Sequence, residues 1–168
     1  MIRVIALIIF TTVGTLSIAQ SSLSTRSKKA IALYTEADNY RVRGQYNQAI
    51  SLLQQAIEKD KNFVEAYYRL GITFKAMRDF NRSNLSLEKG LSLTQNTRIQ
   101  KGFFMDLGDN YLRQGDYDNA LKYFNHYLAV ETMNKQRIAL VELWKRNAEY
   151  GLRNKKIQSQ FQGNWMEL

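Results

Sequence analysis

The sequence predicts an all-helical array of three hairpins closed by a single C-terminal helix, and three observations carry that expectation. The chain of 168 residues has no proline and only nine glycines, and its short apolar runs are interleaved with charge. That texture suits helices better than strands and turns. Its middle aligns with itself in three copies, and self-similarity at such a period marks stacked supersecondary units. Beyond the last copy, Leu140, Trp144, Ala148 and Leu152 recur every four residues, the spacing of one helix face.

The repeat runs from Lys28 to Glu131. Ala37, Gly71 and Gly108 correspond, then Tyr40, Phe74 and Tyr111, then Tyr46, Phe80 and Tyr117, then Ala49, Ser83 and Ala120, and last Leu53, Leu87 and Phe124. Copies are stepped by 34 and then 37 residues, which places a three-residue insertion in the Leu93 to Thr97 connection. Within each copy the order small, aromatic, turn, aromatic, small, large puts the marked residues on one face of two successive helices. Ala37 and Ala49 let the two axes approach, while Tyr40, Tyr46 and Leu53 fill the space between one hairpin and the next.

Turn chemistry sets the boundaries. Arg43-Gly44-Gln45 and Gln114-Gly115-Asp116 each offer a glycine to end a helix in the left-handed conformation, and Asp79 and Asp116 stand where the following helix needs a cap. Asn62 with Glu65, and Thr97 with Gln100, carry the three-residue spacing of a capping box. Helices are expected at about 28–43, 46–59, 63–77, 80–93, 98–113 and 116–130. The seventh carries Glu142, Lys145, Arg146 and Glu149 opposite its apolar stripe, as a polar cap on an array's open end should.

This period with these residue classes resembles the tetratricopeptide repeat, which implies a right-handed superhelix of three hairpins with a capping helix. Lys61, Gln95 and Thr132 depart from the family by standing where it often has proline, Glu36 replaces a usual leucine, and Tyr127 fills a usually small position, suggesting a wider spacing after the third hairpin. The stretch from Ser27 to Leu152 is also similar to the N-terminal repeat module of exported Bacteroidetes proteins that continue into a β-propeller and an outer-membrane-protein-A-like domain, some serving type IX secretion or gliding. No propeller or wall-binding sequence follows here, so those activities do not transfer.

Ahead of the repeat, Arg3 precedes the apolar stretch Val4 to Phe10 and the milder Thr11 to Ile18, and Ser17-Ile18-Ala19 offers the small residues a signal peptidase reads. An uncleaved anchor is the alternative, but roughly 16 apolar residues fall short of the roughly 20 a spanning helix needs. The expected organisation is a signal peptide over 1–19, a short linker over 20–27, the repeat domain with its capping helix over 28–153, and a loosely ordered tail over 154–168 in which Phe161 and Trp165 make contacts. The reading is of an exported, periplasmic or envelope-associated protein, touching membrane only if the leader stays.

With no cysteine there is no disulfide framework, thiol nucleophile or cysteine-ligated zinc. A net charge of +9 favours acidic surfaces; because an exported protein seldom meets nucleic acid, acidic proteins, anionic lipids or wall polymers are the better candidates. Catalysis lacks material. His126 is the single histidine, Asp106 and Asp109 read as solvated or capping carboxylates, Asp116-Tyr117-Asp118 lacks the rest of a calcium loop, and no phosphate loop, serine elbow or metal motif is present. The chain is therefore read as a non-enzyme without cofactor or metal.

By the same resemblance, the first helix of each hairpin lines a concave groove. Its groove positions here are Tyr34, Asp38 and Arg41, then Glu65, Tyr68, Ile72 and Lys75, then Met105, Asp109 and Leu112, with Tyr34, Tyr68 and Met105 forming an apolar track flanked by charge. Some relatives grip a partner's terminal carboxylates through lysine, asparagine and arginine. Four of those positions here hold Tyr34, Asp38, Gly102 and Asp106, so a peptide with apolar and basic side chains is expected instead. The function implied is an envelope scaffold or adaptor for an unidentified protein; the alternative is a structural protein that binds peptidoglycan through its basic surface. The leader reading has a direct check: intact mass of the exported protein should correspond to a chain starting at Gln20, and a mass that includes Met1 would refute cleavage.

Overall fold

The first helix starts where Ser27 turns its hydroxyl onto the Ala30 amide at 3.2 Å, pairing one of the N–H groups that a helix leaves orphaned. The computed structural model describes residues 23–165, with side chains to residue 160, so the expected leader and the side chains of Phe161 and Trp165 lie outside the described residues. Six helices form three hairpins: α1 (Lys28–Val42) with α2 (Tyr46–Lys59), α3 (Val64–Ala76) with α4 (Phe80–Ser92), and α5 (Thr97–Gln114) with α6 (Tyr117–Val130); α7 (Lys135–Trp165) follows. These bounds fall within a few residues of those the turn chemistry predicts.

All three hairpin turns pass through the left-handed region. Gly44 and Gly115 take φ of +75° and +73°, but the second copy has no glycine there, and Arg78 adopts +61°. A non-glycine residue in that conformation costs about 1–2 kcal/mol. Asp79 and Asp116 cap the next helices as expected, accepting the Arg82 amide at 3.0 Å and the Asn119 amide at 3.2 Å. The Arg82 amide and then its guanidinium hold the Asp79 carboxyl below its ordinary pKa.

Two helix starts differ from expectation. Asn62 does not cap α3; its own N–H donates to Asp60 at 2.9 Å. The cap comes instead from Ser24, whose hydroxyl accepts the Val64 N–H at 2.8 Å and donates to Glu65 at 2.6 Å, while its own N–H reaches Glu65 at 3.1 Å. Thr97 is likewise the first residue of α5 rather than its cap. Asn96 accepts the Arg98 N–H at 3.0 Å, and Gln100 turns back to the Thr94 carbonyl at 3.0 Å. The described part of the expected linker is thus built into the fold, with Leu23 packed on the first core cluster and Thr25 buried.

Packing follows the sizes of facing residues. A Cβ on Gly71 would meet Leu87 Cγ at 2.6 Å, and one on Gly108 would meet the Phe124 ring at 2.4 Å. In the first hairpin Ala37 and Leu53 occupy the same positions and are both fully buried. Successive hairpins meet through a second small position, Ala56 and Gly90; a Cβ on Gly90 would meet Phe103 at 2.6 Å. At the third junction the sizes are exchanged, because Tyr127 is large where Gly90 is small and Val141 replaces the facing phenylalanine, both buried in one cluster.

The capping helix is longer than expected. It begins at Lys135 and continues to Trp165, so the tail expected to be loosely ordered from Asn154 is helical through that residue. Of its expected stripe, Ala148 is buried and Trp144 packs beside it, but Leu140 is 40% exposed and Val141 is buried in its place. A four-residue repeat overruns the 3.6-residue turn, so the true stripe begins one residue later. At Gly151 the backbone comes so near the Tyr117 ring that a Cβ would lie 2.3 Å from it.

The backbones of the first helices come close to one another, α1 to α3, α3 to α5 and α5 to α7, whereas those of the second helices α2, α4 and α6 stay further apart, α4 and α6 meeting through long side chains such as Glu88 and Tyr123. First helices therefore form the tighter, inner layer of the superhelix. Replacing Gly71 with leucine should lower unfolding free energy by about 1–3 kcal/mol through overpacking. Arg78→Gly should raise it by about 0.5–1 kcal/mol, the relieved strain less glycine's greater freedom when unfolded; denaturant melts of both variants check the register and the turn.

Candidate protein-binding groove

On the inner layer the predicted groove residues meet, but largely one another. Asp38 on α1 receives Arg41 Nε at 2.9 Å and lies 3.3 Å from Arg69 Nε on α3, and a second Arg69 nitrogen donates to the Tyr34 hydroxyl at 3.1 Å. The Tyr34 ring rests on Phe63, centroids 5.1 Å apart. A second cluster joins α3 to α5. Lys75 Nζ lies 2.7 Å from Asp106 and 2.8 Å from Asp109; the Tyr68 hydroxyl donates to Asp106 at 2.7 Å; and Arg113 reaches Asp109 at 2.9 Å.

Asp106 and Asp109 are thus not solvated carboxylates as the sequence suggested. They are 8% and 6% exposed, and a buried carboxylate needs a partner because desolvation penalises its charge. Burial of the phenol, then the adjacent Asp106 charge, push the Tyr68 pKa up. The Tyr68 ring meets Phe103 edge-on at 5.0 Å. The apolar track expected from Tyr34, Tyr68 and Met105 is therefore interrupted, since both tyrosine hydroxyls are committed to charged neighbours and Met105 packs into the third core cluster beside Leu112.

Glu65 stands at the groove's edge, tied to Ser24. Ile72 and Lys75 line a shallow hollow of 470 Å³ with Arg78, Phe80 and Arg113. Where α3, α5 and the start of α7 converge, the groove opens into a pocket of 630 Å³ with Val64, Tyr68, Ile99 and Phe103 among its walls. Its acids are occupied: Glu131 accepts the Met133 and Asn134 amides at 3.0 and 3.2 Å and lies 3.3 Å from Lys101. Arg98 and Arg137 also line this pocket, and among the described residues no carboxylate pairs with either. Sequence reading did not single out these two arginines, nor Arg69 and Arg113. A signal was present for one of them: Arg69 and Asp106 occupy the same position in successive copies, opposite charges in register.

Elsewhere the chemistry is structural. His126 is exposed and stacks on Phe104 at 5.3 Å. Glu88 accepts hydroxyls from Tyr111 at 2.8 Å and Tyr123 at 3.2 Å; burial first, and then that carboxylate, push Tyr123 up to about 12. Among the described residues no group of three or more His, Asp or Glu side chains could hold a metal ion, and no helix is long and apolar enough to cross a membrane.

Fold and inner face together define a helical-hairpin repeat protein. Family profiles described as TPR repeat and tetratricopeptide repeat match residues 37–77, and 64–97 with 103–131. Together these span more than half of the chain, which belongs to the tetratricopeptide-repeat proteins. Its structure is similar to the first such domain of Spaghetti (RPAP3) bound to the HSP90 peptide SRMEEVD, at 16% identity over 76% of this chain and 95% of that one, TM-score 0.67. It also resembles the TPR2B domain of yeast Sti1 in complex with pHsp70, at 13% identity, 74% and 98% coverage and TM-score 0.66. A third likeness is the Yersinia enterocolitica type III secretion chaperone SycD with a peptide of the translocator YopD, at 18% identity, 74% and 93% coverage and TM-score 0.61. No curated protein sequence matches significantly. At these identities the likenesses establish the fold.

Lys75 is the hub of the ion-pair network, so Lys75→Met should cost about 2–3 kcal/mol of stability, less than a fully orphaned buried pair because Tyr68 and Arg113 remain. Adding Asp106→Asn and Asp109→Asn should recover part of the loss in the same denaturant melts.

Proposed function

We propose that this chain is an exported adaptor that binds a segment of another protein in its inner groove, within an envelope assembly such as one for secretion or gliding, and performs no catalysis. The observation that carries this reading is the pocket between α3, α5 and α7, which pairs an apolar wall of Val64, Ile99 and Phe103 with arginines that no described carboxylate satisfies. A ligand side chain could bury apolar area there and keep a polar group at the rim. Three structural relatives, solved in complex with an HSP90 peptide, with pHsp70 and with a YopD peptide, support the choice of a protein segment as ligand. Export rests on the leader-like first 19 residues.

The ion-pair clusters support the same reading in another way. They fix the walls before any ligand arrives, and a preorganised surface loses less entropy on binding. A wall-associated structural role, using the net charge of +9, remains the alternative. It differs in what the protein recognises, a polymer's charge rather than a peptide's shape.

Pulldown from envelope extract beside sedimentation with purified peptidoglycan separates the two. Any captured segment is then titrated against Tyr34→Ala, Tyr68→Ala and Lys89→Ala, the last on an exposed residue of α4, with helicity checked for each. Truncating a true anchor typically costs 2 kcal/mol or more, about thirtyfold in affinity, so Tyr68→Ala, in the pocket wall, should weaken binding to that extent, Tyr34→Ala, outside the pocket, should weaken it less, and Lys89→Ala should not weaken it. Sedimentation with peptidoglycan together with an empty pulldown would favour the wall reading.

A further inference from the structure

The relation between α5 and α7 extends the repeat by one helix. Stepping on 38 residues from buried Phe103 and Asn110 reaches Val141 and Ala148, the two buried residues among the described side chains of α7, and α7 packs on α6 and touches α5 as α3 packs on α2 and touches α1. It is a first-type helix, and among the described residues no second-type helix packs on it. The position of Gly71 and Gly108, where a second helix would cross, holds exposed Arg146 with Glu142 and Glu149 nearby, so that face is finished for water.

The groove face of α7 is different. The same step takes Met105, Asp109 and Leu112 to Leu143, Asn147 and Tyr150. Leu143 and Tyr150 are 46% and 65% exposed, with Leu140 and Ile157 at 40% and 43% on the same side. Leu140, Leu143, Asn147, Tyr150, Asn154 and Ile157 alternate by three and four residues, the spacing of a seam that takes a second helix knobs-into-holes. This seam is also one wall of a hollow of 520 Å³ whose other side carries Leu112, Gly115 and Tyr117.

We propose that an acidic amphipathic helix of a partner protein docks along this seam, anchored on Leu143 and Tyr150 and flanked by Arg146 and Arg153. The proposal rests on the adaptor reading and names the partner's chemistry. Charge decides the occupant. From residue 140 to 160 there are five basic side chains, Lys145, Arg146, Arg153, Lys155 and Lys156, against Glu142 and Glu149. Lys145 faces Glu149 at 3.9 Å, while among the described residues Arg146 and Arg153 have no carboxylate partner. A second copy would bring like charges together along the seam. A lipid surface would need to enter between two protein walls and to desolvate Asn147 and Asn154, which in a helix pair serve to fix register. The expectation of a basic ligand rested on Asp38 and Asp106, and both are already paired within the fold.

The test is selection of a displayed library of random peptides, about four helical turns long, against the purified chain. Enriched peptides should carry apolar residues at spacings of three and four with Asp or Glu between them. Leu143→Ser and Tyr150→Ser, both at exposed positions and so leaving the melting temperature unchanged, should each weaken the best peptide about tenfold or more, and Arg146→Glu with Arg153→Glu should shift enrichment toward Lys and Arg. Enrichment of basic or patternless peptides, or none, overturns the proposal. So does a seam-dependent dimer in sedimentation, or binding to anionic phosphatidylglycerol vesicles that both serine variants abolish. If selected peptides ignore the seam yet depend on Tyr34 or Tyr68, this inference fails while the adaptor reading stands; an empty envelope pulldown counts against the adaptor reading itself.

Discussion

Close approach of two helix axes at one point in each hairpin is the constraint from which the rest of this structure follows. Gly71 under Leu87 and Gly108 under Phe124 leave no room for a single added carbon, and Ala37 under Leu53 is the corresponding contact with one carbon more, both residues fully buried. With the axes that close, the first helices form a continuous inner layer, and residues at equal positions of neighbouring copies come within reach of one another. Tyr34, Asp38 and Arg69, or Tyr68, Lys75 and Asp106, can share hydrogen bonds only because the hairpins stack at that spacing.

Those contacts change what the groove can do. A surface whose charges are satisfied internally gains little from a new charged ligand, since each pair formed breaks one that exists. The middle of the inner face therefore acts as a rigid wall. Capacity for recognition moves to where partners are missing: the pocket bordered by Arg98 and Arg137, and the apolar seam on α7. The exchange of sizes at the third junction, Tyr127 against Val141 in place of Gly90 against Phe103, seats α7 as a first-type helix and so brings that seam onto the groove side.

The sequence made the hairpins legible because their determinants are local and repeated: small residues facing large ones, turn glycines, and aspartates at helix starts. What it concealed was set by distance or by context. Ser24 caps a helix 40 residues away, a partner no local spacing can announce, while Asn62 and Thr97 matched the capping-box pattern without serving it. Asp106 and Asp109 look like any acid pair one turn apart until α3 brings Lys75 between them. In α7 a polar composition hid the helix beyond Asn154, and a stripe counted in fours set the buried face one residue early, on Leu140 instead of Val141. The groove positions were identified in place, but their pairing with Arg69, Asp106 and Arg113 needed the neighbouring helix.

If the tight crossing governs the fold, the cost of filling it must depend on the size of the residue above it. A double-mutant cycle with Gly108→Ala and Phe124→Leu measures this dependence directly, because the first hairpin already holds alanine under leucine. Denaturant melts should show Gly108→Ala strongly destabilising alone and much less so beside Phe124→Leu, a coupling of about 1 kcal/mol or more. Strictly additive losses would contradict the account.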